Sequence, residues 1–95
     1  MSFDWATACS RLIKAELARE DVTLAKLARR LEHFGVTETE TTLKNKLYRG
    51  TFSMVFFMQC MRALGKASID LNGVIADEVP SGRELDRVAD PGDGH

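Results

Sequence analysis

The chain has 95 residues, of which 44% are hydrophobic and 28% are charged, and its net charge is −1. A chain of this length forms one domain with a small core. The charged fraction excludes a membrane protein, and no apolar run approaches the roughly 20 residues that span a bilayer. Because no basic region followed by an apolar stretch opens the chain, we expect no signal peptide and a cytoplasmic protein.

Charge is divided unevenly along the chain. Residues 1–66 carry eleven Lys and Arg against seven Asp and Glu, a net charge of +4, whereas residues 67–95 carry two against seven, a net charge of −5. A basic unit followed by an acidic tail is typical of a nucleic-acid binder whose tail competes for the basic surface. A solvated domain with a solubilising tail fits the same charges.

The sequence offers little chemistry for catalysis or metal binding. Cys9 and Cys60 lie in apolar helical patterns without paired His/Cys spacing, so we predict two buried, reduced thiols and neither a metal nor a cofactor. His33 is the only histidine apart from the last residue, so no Ser/His/Asp or Cys/His set is available. We therefore do not expect an enzyme.

The spacing of apolar residues predicts an amphipathic helix from Asp4, its N-cap, to Glu20. Its apolar stripe comprises Trp5, Cys9, Leu12, Ile13 and Leu17. A second helix follows the N-cap Thr23 and stops at Gly35, with Val22 and Leu27 as a hydrophobic staple. Its buried face is predicted to hold Leu24, Leu27, Ala28 and Leu31, and its outward face Lys26, Arg29 and Arg30.

Two further helices are predicted in the middle of the chain. Thr37 and Glu40 have capping-box spacing, which places helix 3 from Glu38 to Arg49, ahead of Gly50. Ser53 caps helix 4, predicted from Met54 to Leu64. Residues 67–71 alternate between apolar and polar, which indicates a possible short strand. We assign residues 1–76 to the folded domain and residues 77–95 to a disordered acidic C-terminal tail.

Three segments together resemble the lambda-repressor-like, Cro/C1-type helix-turn-helix domains. Residues 23–31 are similar to the family's S/T-x-x-x-L-A-x-x-L helix, residues 53–65 (SMVFFMQCMRALG) to its fourth helix, and residues 47–50 (LYRG) to the end of its recognition helix. The resemblance covers residues 8–66. Residues 35–50 are longer than the usual turn and recognition helix, and in this respect the chain looks closer to short, uncharacterised bacterial proteins of that fold. The resemblance implies an all-α bundle of four to five short helices.

The resemblance implies that helix 3, residues 38–49, reads double-stranded DNA in a small bacterial transcriptional regulator. Leu43 and Leu47 mark its buried side, and the polar side chains opposite suit contacts with base edges or phosphates. The predicted DNA contacts are Lys26, Arg29, Arg30, Thr41, Thr42, Lys44, Asn45, Lys46, Tyr48 and Arg49. Glu38 and Glu40 oppose this hypothesis because carboxylates at the start of the helix repel phosphates. An ordinary solvated face would carry similar residues.

Helix 4 is apolar on every side, so it requires cover on all sides. Met54, Phe57, Met61 and Leu64 are predicted to fill the core, which leaves a surplus at Val55, Phe56 and Met58. We predict a homodimer interface at this surplus, since two-fold symmetry matches palindromic DNA sites. The alternative function is a small protein-interaction module, antitoxin-like or an adaptor, that uses the apolar surface of helix 54–64 to bind a protein partner.

Overall fold

The computed structural model of the protein describes residues 3–71, 75 and 79–89, and it is all-α within them. The helices are α1 (Trp5–Glu20), α2 (Leu24–Glu32), α3 (Glu40–Arg49), α4 (Met54–Ala63) and α5 (Gly82–Ala89). α3 packs against α1 and α2, and α2 also packs against α4. Within the described ranges, no helix is both long and apolar enough to cross a membrane.

The helix starts follow from side-chain caps. Asp4 accepts a hydrogen bond from the Thr7 amide at 3.1 Å. Thr23 and Ser53 accept from the amides three residues later, Lys26 at 3.1 Å and Phe56 at 3.0 Å. These bonds satisfy amides that the first turn leaves without a helical partner, and they confirm the three predicted caps.

The predicted start of helix 3 was wrong by two residues. Thr39, not Thr37, is the N-cap, and its hydroxyl accepts from the Thr42 amide at 3.0 Å. The Thr42 hydroxyl in turn accepts from the Thr39 amide at 2.8 Å, so a threonine replaces the glutamate of the usual capping box. Thr37 and Thr39 lie two residues apart, and either threonine can serve as an N-cap. Glu38, predicted as the first residue of the helix, instead interacts with Lys46 and Thr42.

The core joins the inner faces of the first four helices. Ile13, Leu27, Leu31, Leu43 and Cys60 are fully buried. Trp5 is 54% exposed and Cys9 is exposed, so the predicted stripe of α1 is correct only from Leu12 onward. The buried side of α1 instead includes Ala8 and Glu16, because that side faces the rest of the domain.

α4 is rotated from the predicted orientation. Phe56 is only 6% exposed and packs in the core with Cys60 and Met61, so its assignment to the exposed surplus was wrong. Met54, predicted in the core, is 68% exposed. The ring of Phe52, in the link before α4, lies 5.6 Å from the Phe56 ring, and Phe52 packs against the same core.

An ionic cluster ties the end of α4 to α1. Lys66 lies 2.8 Å from a Glu20 carboxylate oxygen and 3.6 Å from Oε1 of Glu16. Glu16 is buried, and its Oε1 is also 2.9 Å from Arg19 Nη1, yet that oxygen makes no hydrogen bond of good geometry. We therefore interpret the attraction at this oxygen as electrostatic. Lys66 holds the segment after α4 against the first helix.

The C-terminal region differs from the sequence prediction in two respects. Residues 67–71 form no strand: Ile69 and Leu71 are exposed, and residues 3–66 and 79–89 contain no strand with which the segment could pair. Residues 82–89, predicted to be disordered, form α5. Ser81 and Glu84 cap it reciprocally through hydrogen bonds of 3.2 and 3.3 Å, a local signal that the composition of the tail obscured. Residues 77, 78 and 90–95 of the predicted tail lie outside the described residues.

Candidate nucleic-acid interface

The outer face of α3 is a continuous polar surface. Leu43 and Leu47 are buried on its inner face, as predicted, and this fixes which side chains project outward. The exposed set on the outer face is Thr41, Thr42, Lys44, Asn45, Tyr48 and Arg49. Tyr48 is 79% exposed, whereas an aromatic ring that packs in the core is mostly buried. The helix therefore offers amide, hydroxyl, ammonium and guanidinium donors on one side.

Glu38 lies before α3 and turns away from this surface. Its side chain is 6% exposed, accepts a 2.7 Å hydrogen bond from the Thr42 hydroxyl and pairs with the Lys46 ammonium. Burial raises the pKa of Glu38, but the hydrogen bonds from Lys46 and Thr42 and the charge of Lys46 outweigh it, so the pKa is lowered. One of the two carboxylates that opposed DNA binding is thus neutralised. Glu40 remains exposed in the first turn.

Lys46 and Thr42 are less available than their sequence positions indicated. Lys46 pairs with Glu38, and its ammonium also lies 4.8 Å above the centre of the Phe56 ring. The Thr42 hydroxyl serves both the capping box and Glu38. Both side chains therefore stabilise the start of α3 and its junction with α4, and only their outer edges remain open to a ligand.

The basic residues of α2 divide into two groups. Lys26 and Arg29 are exposed. Arg30 is half-buried, and its Nη1 donates to the backbone carbonyl of Ala63 at 3.0 Å. Because this bond satisfies a carbonyl at the C-terminus of α4, Arg30 joins α2 to α4 rather than standing free for a phosphate.

Two cavities flank α3. One, of about 400 Å³, lies where α1, α2 and α3 meet and is lined by Lys14, Leu17, Leu24, Glu40, Lys44, Leu47 and Tyr48. The other, of about 150 Å³, lies at the start of α4 and is lined by Lys46, Arg49, Thr51, Phe52, Ser53 and Phe56. Lys14 could not be identified from the sequence, because only the packing of α1 on α3 brings that lysine to the same cavity as Lys44.

The exposed side of α4 is a separate apolar surface. Met54, Val55 and Met58 are 68%, 66% and 61% exposed, which places two of the three predicted dimer-interface residues, Val55 and Met58, on it. A groove of about 320 Å³ adjoins this surface and is lined by Met54, Phe57, Met58, Met61, Arg62, Lys66, Ala67, Ser68 and Ile69. Phe56 does not belong to it.

The two cysteines lie in different environments, Cys9 exposed and Cys60 buried. Among the described residues, no group of three or more His, Cys, Asp or Glu side chains is arranged to hold a metal ion. Burial raises the pKa of the Cys60 thiol to about 12, with a further contribution from Glu38, so this thiol stays protonated. Cys9 is free and exposed, which corrects the prediction that both thiols are buried.

Comparison with known protein families places the first four helices in a family. A family model described as a domain of unknown function (DUF6471) matches residues 5–69, which contain α1 to α4 and both cavities beside α3. No curated protein and no solved structure matches the chain.

Proposed function

We propose that this chain, which belongs to the DUF6471 family, binds double-stranded DNA through α3. The observation that carries the proposal is the polar outer face of α3, with Lys44, Asn45, Tyr48 and Arg49 exposed above a fully buried inner face. The withdrawal of Glu38 from that face supports it, because one source of repulsion toward phosphates is removed.

In the proposed mechanism α3 enters the major groove. Asn45 binds an adenine edge and Arg49 binds a guanine edge or a phosphate, whereas Lys44 and Tyr48 contact phosphates and fix the register. Lys26 and Arg29 of α2 contact the backbone beside it. Thr41 contacts a thymine methyl group or a phosphate. Thr42 and Lys46 act mainly by holding the start of α3 in place, and Arg30 by joining α2 to α4, since each is bound within the protein.

The proposed biological role is that of a small bacterial transcriptional regulator in the cytoplasm, acting as a homodimer. The exposed apolar side chains Met54, Val55 and Met58 supply a surface on which two copies would meet. The same observation favours the second candidate function, a protein-interaction module whose α4 surface binds a different protein.

Selection from a random pool of duplexes first identifies a preferred DNA. Fluorescence anisotropy with that duplex at two salt concentrations then tests the DNA-binding proposal. We expect salt-sensitive binding, because phosphate contacts release counterions. The double variant Asn45→Ala, Arg49→Ala should lose preference for the selected duplex, by about 1–3 kcal/mol for each base contact removed. Its thermal unfolding should match the wild type because both side chains are exposed.

Val55→Asp tests whether the exposed surface of α4 joins two copies of the chain. Sedimentation equilibrium of the wild type should show a dimer that this variant dissociates, because a charge replaces an exposed apolar side chain at the contact. A wild-type chain that binds no duplex at low salt would contradict the DNA-binding proposal and favour the protein-interaction module.

A further inference from the structure

The larger cavity beside α3 combines an apolar floor with a charged rim. Leu17 and Leu47 are buried beneath it, and Leu24 is partly buried at its side. Lys14 of α1 and Lys44 and Tyr48 of α3 line the same cavity, and all three are exposed. Among the described residues, neither lysine forms an ion pair within 4.0 Å. The positive groups at this rim therefore come from two different helices.

The charge of this cavity depends on α1. Glu40 also lines it and precedes Lys44 by four residues on α3, a spacing at which opposite charges attract along a helix. α3 alone therefore contributes one positive and one negative charge, which cancel. Lys14 adds a second positive charge and makes the cavity attractive to an anion. A residue of α1, outside α2 and α3, therefore decides the sign of the net charge at the cavity.

We propose that Lys14 and Lys44 together bind one phosphodiester group of the DNA backbone over the mouth of this cavity, with the Tyr48 hydroxyl as a further donor. This inference rests on the proposed function, since it requires α3 to lie against a duplex. The apolar floor strengthens the attraction because it replaces part of the water that screens the charges. The contact holds the duplex against α1 and is the same for every base sequence.

Lys14→Gln tests the inference through the salt dependence of binding. Each neutralised phosphate contributes about 0.9 to the slope of log K against log salt. Lys44 still contacts this phosphate in the variant, so the magnitude of the slope should fall by part of that amount. Its affinity should fall by the same factor for the selected duplex and for a random duplex. Arg62→Gln removes an exposed positive charge from α4 and is the matched control, with the wild-type slope expected.

The double variant Lys14→Gln, Glu40→Gln provides a second measurement. It returns the cavity to one net positive charge through Lys44, so its affinity at low salt should rise above that of Lys14→Gln alone. Both positions are exposed, and thermal unfolding of each variant should stay close to the wild type.

The outcomes separate this inference from the proposed function. A wild-type chain that binds duplex DNA, together with a Lys14→Gln variant that keeps the wild-type slope, overturns the Lys14 contact and leaves the function standing. A loss confined to one base sequence overturns it as well, because a phosphate contact carries no sequence information. A wild-type chain that binds no duplex overturns the function and this contact together.

Discussion

At the residue scale, a buried carboxylate joins the segment before α3 to two helices. Glu38 pairs with Lys46 of α3 and accepts a hydrogen bond from Thr42, and the Lys46 ammonium lies over the Phe56 ring of α4. Removing one member of such a group leaves the other with a buried charge that lacks its partner. We therefore interpret the Glu38–Lys46–Phe56 contact as the connection that sets the start of α3 relative to α4.

Lys46→Met should destabilise the protein at neutral pH by about 1.5–3 kcal/mol, the range for a hydrogen bond to a charged group. The methionine keeps an apolar contact with Phe56 and removes the ammonium, so the loss combines the ion pair with Glu38 and the cation–π contact with Phe56. Chemical denaturation of the variant and the wild type at pH 7 measures it. Lys44→Met, at an exposed position two residues earlier, is the matched control and should stay within about 0.5 kcal/mol.

The same contact has a predicted pH dependence. Because the pKa of Glu38 is lowered in the folded protein, its contribution to stability is present above the unfolded pKa, about 4.3, and is lost as pH falls through the folded pKa. The stability difference between the wild type and Lys46→Met should therefore shrink across that window. A difference that stays constant down to pH 3 would contradict the assignment of this effect to Glu38.

At the element scale, the end of α3 is fixed by a close approach to α1. Gly50 has a φ of +69°, and a Cβ there would lie 1.9 Å from the backbone oxygen of Ala6. Glycine thus satisfies two separate requirements, a left-handed backbone and direct contact with a neighbouring helix. This contact sets how near α3 lies to α1, and hence the distance between the helices that carry Lys14 and Lys44.

Gly50→Ala and Gly65→Ala form a matched pair. Both glycines have positive φ, which costs another residue roughly 1–3 kcal/mol, but a Cβ at Gly65 meets nothing within 4 Å. Gly50→Ala should cost about 1–3 kcal/mol more than Gly65→Ala, because the backbone of α1 or α3 has to move. Denaturant titration of both variants measures the difference. Equal losses would show that the approach to Ala6 contributes nothing beyond backbone conformation.

At the scale of the whole molecule, opposite charges lie in different parts of the chain. The first 66 residues carry a net charge of +4, and the remaining 29 carry −5. Residues 80–86, which include the start of α5, are exposed, so the carboxylates of Glu84 and Asp86 are accessible to a basic partner. Such a segment is expected to compete with DNA for Lys and Arg side chains, most strongly at low salt.

Removal of residues 79–95 should therefore raise affinity for duplex DNA at low salt. The truncation deletes four acidic and two basic residues, and we expect a gain of about 0.5–1 kcal/mol, comparable with exposed charge pairs. Anisotropy titrations of the truncated and full-length chains measure it, and the gain should disappear as salt screens the charges. An unchanged affinity at low salt would remove the acidic segment from the mechanism.

The sequence by itself determined the type and order of the first four helices, most of their boundaries and the inner face of α3, but not α5. These features depend on local rules: a cap must satisfy the first amides of its helix, and apolar residues must recur with the helical period. Asp4, Thr23, Ser53 and Gly50 carry such local signals. The start of α3 is an exception: Thr37 has the usual capping-box partner, Glu40, three residues later, yet Thr39 caps the helix with Thr42.

Only the tertiary structure decided which side of α4 is covered, where Glu38 turns and which basic residues meet beside α3. Phe56 is buried and Met54 exposed because neighbouring helices cover one side of an apolar helix whose sequence has no preferred side. Lys14 and Lys44, thirty residues apart in the sequence, line the same cavity because α1 packs on α3. Periodicity specifies the face of a single helix, whereas a contact between helices depends on how all of them fill the shared core.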